Sequence, residues 1–133
     1  MVTYLADTNI FIRLYIQDNK KQTKISIDLL KKCKARKLEL VVLSEIIPEI
    51  EYILKKYYKV DRKTISEHLR NLVSTAYVKI ENRDNWIYAI DIYSKSNVDI
   101  VDALLYAESK TRNNEVVSFD KDFQKLQKYA KNS

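Results

Sequence analysis

Five apolar or β-branched residues, Val2-Thr3-Tyr4-Leu5-Ala6, run straight into Asp7-Thr8-Asn9. Ile10, Phe11, Leu14 and Tyr15 then follow at the spacing of a helix face. A strand that stops at an acid and feeds a helix leaves few folds open. Read as a strand buried on both faces, it begins an α/β layered domain. Ligands in such sheets gather at the carboxyl ends of the strands, and that is where Asp7 sits.

The rest of the chain keeps the alternation. Ile25, Leu29, Leu30 and Cys33 recur at helical spacing, and Leu38 to Leu43 reads as a second strand. Ser44 to Tyr58 is expected to be a helix with a stripe of Ile46, Ile50, Ile53, Leu54 and Tyr57. Its proline, Pro48, belongs in the first turn, where a missing amide costs nothing. Asp61 caps a helix carrying Ile65, Leu69, Leu72 and Val73. Tyr77 to Ile80 is a third strand, and Ile87, Ile90 and Tyr93 mark the next helix. A helix from Asp99 to Thr111 ends at Asn113-Asn114, where asparagine serves at a left-handed position. Val116, Val117 and Phe119 read as a fourth strand, and Asp120 opens a last helix with Phe123 and Leu126. The expected fold is a three-layer α/β/α sandwich on a short central parallel sheet, one domain spanning residues 1–133.

Composition removes several functions. The chain has no glycine at all, which excludes glycine-rich phosphate loops of both the dinucleotide and the nucleoside-triphosphate type. Its one cysteine, Cys33, cannot form an internal disulfide and falls on an apolar stripe; with no signal-peptide pattern, a cytoplasmic protein is expected. No apolar run reaches membrane-spanning length. Lys and Arg outnumber Asp and Glu by 24 to 18, a modest bias toward polyanions. Lys31-Lys32, Lys55-Lys56 and the lysines of 121–131 read as solvated faces. The sole histidine, His68, lies on a helix away from the acids, which argues against histidine acid–base chemistry.

The acids form a pattern instead. Asp7 and Asp120 follow apolar runs, Glu49 lies in the first turn of the helix after the second strand, and Asp99 and Asp102 share one helix face. Strand ends and the starts of the helices that follow them lie on one edge of a parallel sheet, so the fold can gather these carboxylates. Two charges about 4 Å apart repel by roughly 4 kcal/mol at an effective dielectric near 20. Such acids either protonate or hold a cation. An all-oxygen set without cysteine or histidine suits Mg²⁺ or Mn²⁺, and with it phosphodiester chemistry. Each acid also has a structural role open to it: Asp99, Asp102 and Asp120 as helix-terminal acids, with Ser96 and Asp99 resembling a capping box, and Glu49 as a surface acid favoured by the dipole.

With those residues in view, the sequence resembles the PIN-domain ribonucleases, in particular their VapC toxin members. Leu5-Ala6-Asp7-Thr8-Asn9 is similar to the first motif of that family. Ser44 to Leu54 resembles the second and places its glutamate at Glu49. Asn97 to Leu105 resembles the third, with Asp102 before Ala-Leu-Leu, and Val117 to Phe123 the fourth, with Asp120. The resemblance implies a Mg²⁺- or Mn²⁺-dependent endoribonuclease acting on RNA, a homodimer, and a small cognate antitoxin. It implies Asp7, Glu49, Asp102 and Asp120 as the catalytic acids, with Asp7, Asp102 and Asp120 as metal ligands and Asp99 an added ligand or supporting acid. Thr8, Asn9 and Ser118 would hold those acids by hydrogen bonds, and Arg13 and Lys121 could reach a phosphate. A short strand that often ends the family fold has little chain left here. The alternatives are an RNA-processing nuclease without an antitoxin, a phosphohydrolase with Asp7 as nucleophile, and a non-catalytic RNA-binding module.

Overall fold

The computed structural model describes residues 1–132, with side-chain surroundings through Leu126. The chain divides into two compact units, Met1–Asp61 with Ser74–Glu81, and Arg62–Val73 with Asn82–Ser133.

The first unit carries the sheet. Strands β1 (Thr3–Leu5), β2 (Glu39–Val42) and β3 (Lys79–Ile80) lie in the order β1-β2-β3, all parallel. Tyr4 pairs with Leu40, and Val42 with Ile80. Helices α1 (Thr8–Tyr15), α2 (Lys20–Lys34) and α3 (Ile46–Lys56) complete the unit. Its core is Phe11, Ile12, Leu40, Val42, Ile47, Ile50, Leu54 and Val78, all almost fully buried. The alternation of short apolar runs with helical periods therefore makes the parallel sheet it predicts. Pro48 is the third residue of α3, inside the first turn as expected.

Three sequence expectations fail here, each for a physical reason. β1 is exposed along its length rather than buried on both faces, because among the described residues it is an edge strand paired only with β2. α2 turns Thr23, Ser26 and Cys33 inward and leaves Ile25 exposed. The Thr23 hydroxyl reaches the core side by donating to the Arg13 carbonyl at 2.8 Å, so a small polar residue occupies a place the apolar count gives to isoleucine. On α3 the buried stripe is Ile47, Ile50 and Leu54, with Glu51 inside it and Tyr57 outside.

The second unit is helical: α4 (Arg62–Val73), α5 (Arg83–Lys95), α6 (Ile100–Arg112) and α7 (Lys121–Asn132). Helix α5 packs on both α4 and α6, burying Trp86, Ala89, Ile90 and Tyr93. Ile65, Leu69, Leu72 and Val73 are buried as their spacing predicts, whereas Ile87 is exposed. Polar bonds lock α5 to α6. Asn82 donates to Glu108 at 2.6 Å, Asn85 to Asn82 at 2.9 Å, and the Thr111 hydroxyl to Asn85 at 2.6 Å. The expected fourth strand is absent among the described residues. Residues 114–120 are irregular, with Val117 and Phe119 fully exposed, because apolar character makes no strand without a neighbour to share its ladder. Ser133 lies outside the described residues, so a strand after α7 is not part of this description.

A chain without glycine must place side chains where glycine is usual. Arg36, Lys59, Asn82 and Asn113 all have positive φ. Asn113 does so at the end of α6, as its sequence position predicts. Arg36 does so after α2, where the Lys37 amide donates to Lys32 and the Arg36 amide to Cys33, the two bonds of a Schellman ending. A side chain there costs about 1–2 kcal/mol, partly offset by the greater freedom glycine gives the unfolded chain. Arg36→Gly is expected to raise stability by about 1 kcal/mol, a shift of a few degrees in Tm by calorimetry; a lowered Tm would contradict this account of the turn.

Candidate metal centre at the starts of α6 and α7

Two helix starts in the second unit bring the acids together. Asp99 is the N-cap of α6, and its Oδ1 accepts from the Val101 amide at 2.8 Å. Ser96 is not part of that cap: its hydroxyl donates to Ile92 at the end of α5. Asp102 sits in the first turn of α6, half-buried. Asp120 precedes α7 and caps it, accepting from the Asp122 amide at 2.8 Å, while its own amide donates to the Ser118 hydroxyl at 2.9 Å. Asp122, in the first turn of α7, accepts from the Asp99 amide at 3.3 Å and so ties one helix start to the other.

Packing supports the geometry. Phe123 and Leu126 of α7 are buried, and the Phe123 ring lies 6.4 Å from that of Tyr106 on α6. Arg62 fixes the entry to α6. Its guanidinium stacks 3.6 Å from the centre of the Tyr93 ring, and it donates to the Tyr93 carbonyl at 2.9 Å and to the Val98 carbonyl just before Asp99.

One carboxylate oxygen each from Asp102, Asp120 and Asp122 lies within 4.8 Å of the others. The electrostatic consequence appears at Asp102. Its carboxyl is pushed up to about 6, first by desolvation and then by the negative charges of Asp120 and Asp99, the hydrogen bond to Asp120, and Asp122. Lys125 approaches Asp122 at 3.5 Å but stays half exposed, too solvated to neutralise the cluster. Crowded oxygens with no nitrogen or sulfur among them fit a hard divalent ion such as Mg²⁺ or Mn²⁺.

In the first unit, Asp7 ends β1 as the N-cap of α1, exposed and making no side-chain cap bond. Thr8 beside it is 2% exposed, and its hydroxyl has no hydrogen-bond partner among the described residues. Asn9 is exposed. Glu49 lies exposed in the first turn of α3, on the element that leaves β2. Arg13 is engaged by Asp18 at 2.9 Å, and Lys121 is exposed at the start of α7. His68 is half-buried, and desolvation lowers its pKa despite Glu67. The Cys33 thiol is buried and donates to Tyr77 at 3.0 Å.

The structure thus gathers Asp102 and Asp120 with Asp99 close by, and adds Asp122, which the sequence reading left out. The available signal was its place two residues after Asp120, in the first turn of a helix. Ser118 supports Asp120 through the backbone amide rather than the carboxylate.

Comparison with known proteins places this arrangement in a family. The PIN domain profile matches residues 4–129, and the chain belongs to that family. The family fold is a three-layer α/β/α sandwich, the class expected from the sequence, and the short parallel sheet with its helices agrees with it. The chain is similar to a VapC ribonuclease of Aquifex aeolicus (strain VF5), 33% identical over 89 residues. That match covers 66% of this chain and 66% of the relative, so the chain spans just under two thirds of the relative's length. No solved structure matches it.

The raised carboxyl gives a signed pH dependence. Asp102 binds its proton more tightly folded than unfolded, so in metal-free protein its contribution to stability is present below the unfolded value near 3.8 and lost as pH rises to about 6. Asp102→Asn is expected to melt higher than the parent at pH 7 in EDTA, with the gap closing toward pH 4. A gap that stays constant over that range contradicts the electrostatic reading.

Proposed function

We propose that the protein is a Mg²⁺- or Mn²⁺-dependent endoribonuclease, the toxin half of a toxin–antitoxin pair. The observation that carries this reading is the carboxylate cluster at the starts of α6 and α7, within the stretch that matches the PIN domain family. The VapC ribonuclease relative supports RNA as substrate. The proposed catalytic acids are Asp7, Glu49, Asp102 and Asp120, with Asp99 and Asp122 assisting. A homodimer, a small antitoxin and a cytoplasmic location belong to the same proposal. No helix among the described residues is long and apolar enough to cross a membrane.

Asp102, Asp120 and Asp122 would hold the ion. Once bound, it polarises phosphoryl oxygens and neutralises charge that builds up in the transition state. The protein supplies position. Asp99 holds the α6 start, Ser118 and the Asp122 amide orient Asp120, and the Asp99 amide orients Asp122. Burial and the charges of Asp120 and Asp99 push the Asp102 carboxyl up to about 6, and it shares a hydrogen bond with Asp120; a cation held there would favour its ionised form. Asparagine at either aspartate keeps the volume and removes the charge.

Purified protein with Mn²⁺ is expected to cleave a mixed RNA substrate, and EDTA to stop it. Asp7→Asn and Asp120→Asn should each lower the rate at least about a hundredfold with no loss of Tm. Cleavage at the parent's rate by either variant would overturn the assignment.

A further inference from the structure

Helix α2 carries charge for which the fold has no use. Six lysines, Lys20, Lys21, Lys24, Lys31, Lys32 and Lys34, face a single acid, Asp28, so its net +5 nearly equals the +6 of the whole chain. Lys31, Lys32 and Lys34 sit in the last turn, where the macrodipole favours cations. Lys20, Lys21 and Lys24 sit at the opposite end, where it disfavours them, and no acid offsets them in the first turn. None of the six lysines makes an ion pair among the described residues. Helix stability accounts for the three in the last turn but not for Lys20, Lys21 and Lys24.

Their arrangement does suggest a use. At 3.6 residues per turn, Lys20, Lys24 and Lys31 fall in one stripe about 16 Å long. The same three line an open groove of about 410 Å³ with Gln17, Thr23, Ile27 and the acid Asp28, which leaves the groove a net charge of about +2. We propose that this lysine stripe of α2 is a docking surface for the phosphate backbone of single-stranded RNA, separate from the acids that would cleave it. The assignment of RNA rests on the nuclease reading; the charge asymmetry of α2 does not.

Chemistry favours this occupant over two others. Protein interfaces are depleted of lysine, whereas phosphate backbones are bound by it as a compact point charge. A membrane-surface helix needs a continuous apolar face. The exposed isoleucines of α2, Ile25 and Ile27, lie on opposite flanks of the lysines and form none.

The test uses the full chain with Lys20, Lys24 and Lys31 all replaced by glutamine. Binding of a fluorescein-labelled 20-nucleotide RNA is followed by anisotropy in EDTA across a salt series. The variant is expected to bind at least about tenfold more weakly at low salt, and its salt dependence should flatten by about 2 in the log–log slope. Its Tm should change little, because Lys20 and Lys24 leave the end of the helix that disfavours cations while Lys31 leaves the end that favours them. A control removing the same charge from exposed Lys56, Lys59 and Lys63 should keep the parent affinity. Unchanged affinity and slope, or an equal loss in the control, overturns the proposal. Retained RNA binding with lost binding to phosphatidylserine vesicles overturns it in favour of a membrane. Since binding is read without metal, failure of the nuclease reading shows up separately, as RNA left intact by the parent protein in Mn²⁺.

Discussion

Three carboxylates with oxygens inside 4.8 Å repel one another when charged, and much of the second unit is built to keep them there anyway. Two helices point their N-termini, the positive ends of their dipoles, toward the acids. Asp99 and Asp120 cap those helices, Asp122 bridges them, and the Tyr106–Phe123 contact holds α7 on α6. Residual repulsion is stored as a proton held too tightly at Asp102. Removing a charge would relieve the fold; keeping it retains the all-oxygen cluster that the proposed ion would need.

The same residues therefore serve structure and, on the proposed reading, chemistry. Asp99 and Asp120 are helix caps, the structural role their sequence positions suggest; Asp120 is also a member of the acidic cluster, and the charge of Asp99 acts on it from beside. Arg62 pins the carbonyl of Val98 and so sets where α6 begins. In a chain without glycine, a glycine-rich cradle for phosphate is not on offer, and charge has to come from side chains: acids gathered at two helix starts, lysines that face solvent.

Much of this was legible in the sequence, and the limits have physical causes. β2, the α4 stripe, the place of Pro48, the left-handed Asn113 and the acids at the start of α6 follow from local patterns that survive packing. β1 was misread because an apolar run signals a strand but does not say how many neighbours it pairs with. Val116, Val117 and Phe119 show the same gap: β-propensity without a ladder leaves irregular chain. Ile25 and Thr23 exchanged expected places because a hydroxyl that finds a carbonyl can be buried as readily as a methyl group. Asp122 was missed because an acid near a helix start is common and only the fold reveals which neighbour it meets.

The central claim is that the starts of α6 and α7 form a cation site, and counting bound Mn²⁺ by electron paramagnetic resonance tests it most directly. The parent protein at pH 7 is expected to bind Mn²⁺ saturably below millimolar concentration, with the bound fraction falling as Asp102 protonates below about pH 6. Asp120→Asn should weaken that binding severalfold or more. A parent that leaves millimolar Mn²⁺ entirely free, or a variant that binds it equally well, would contradict the account.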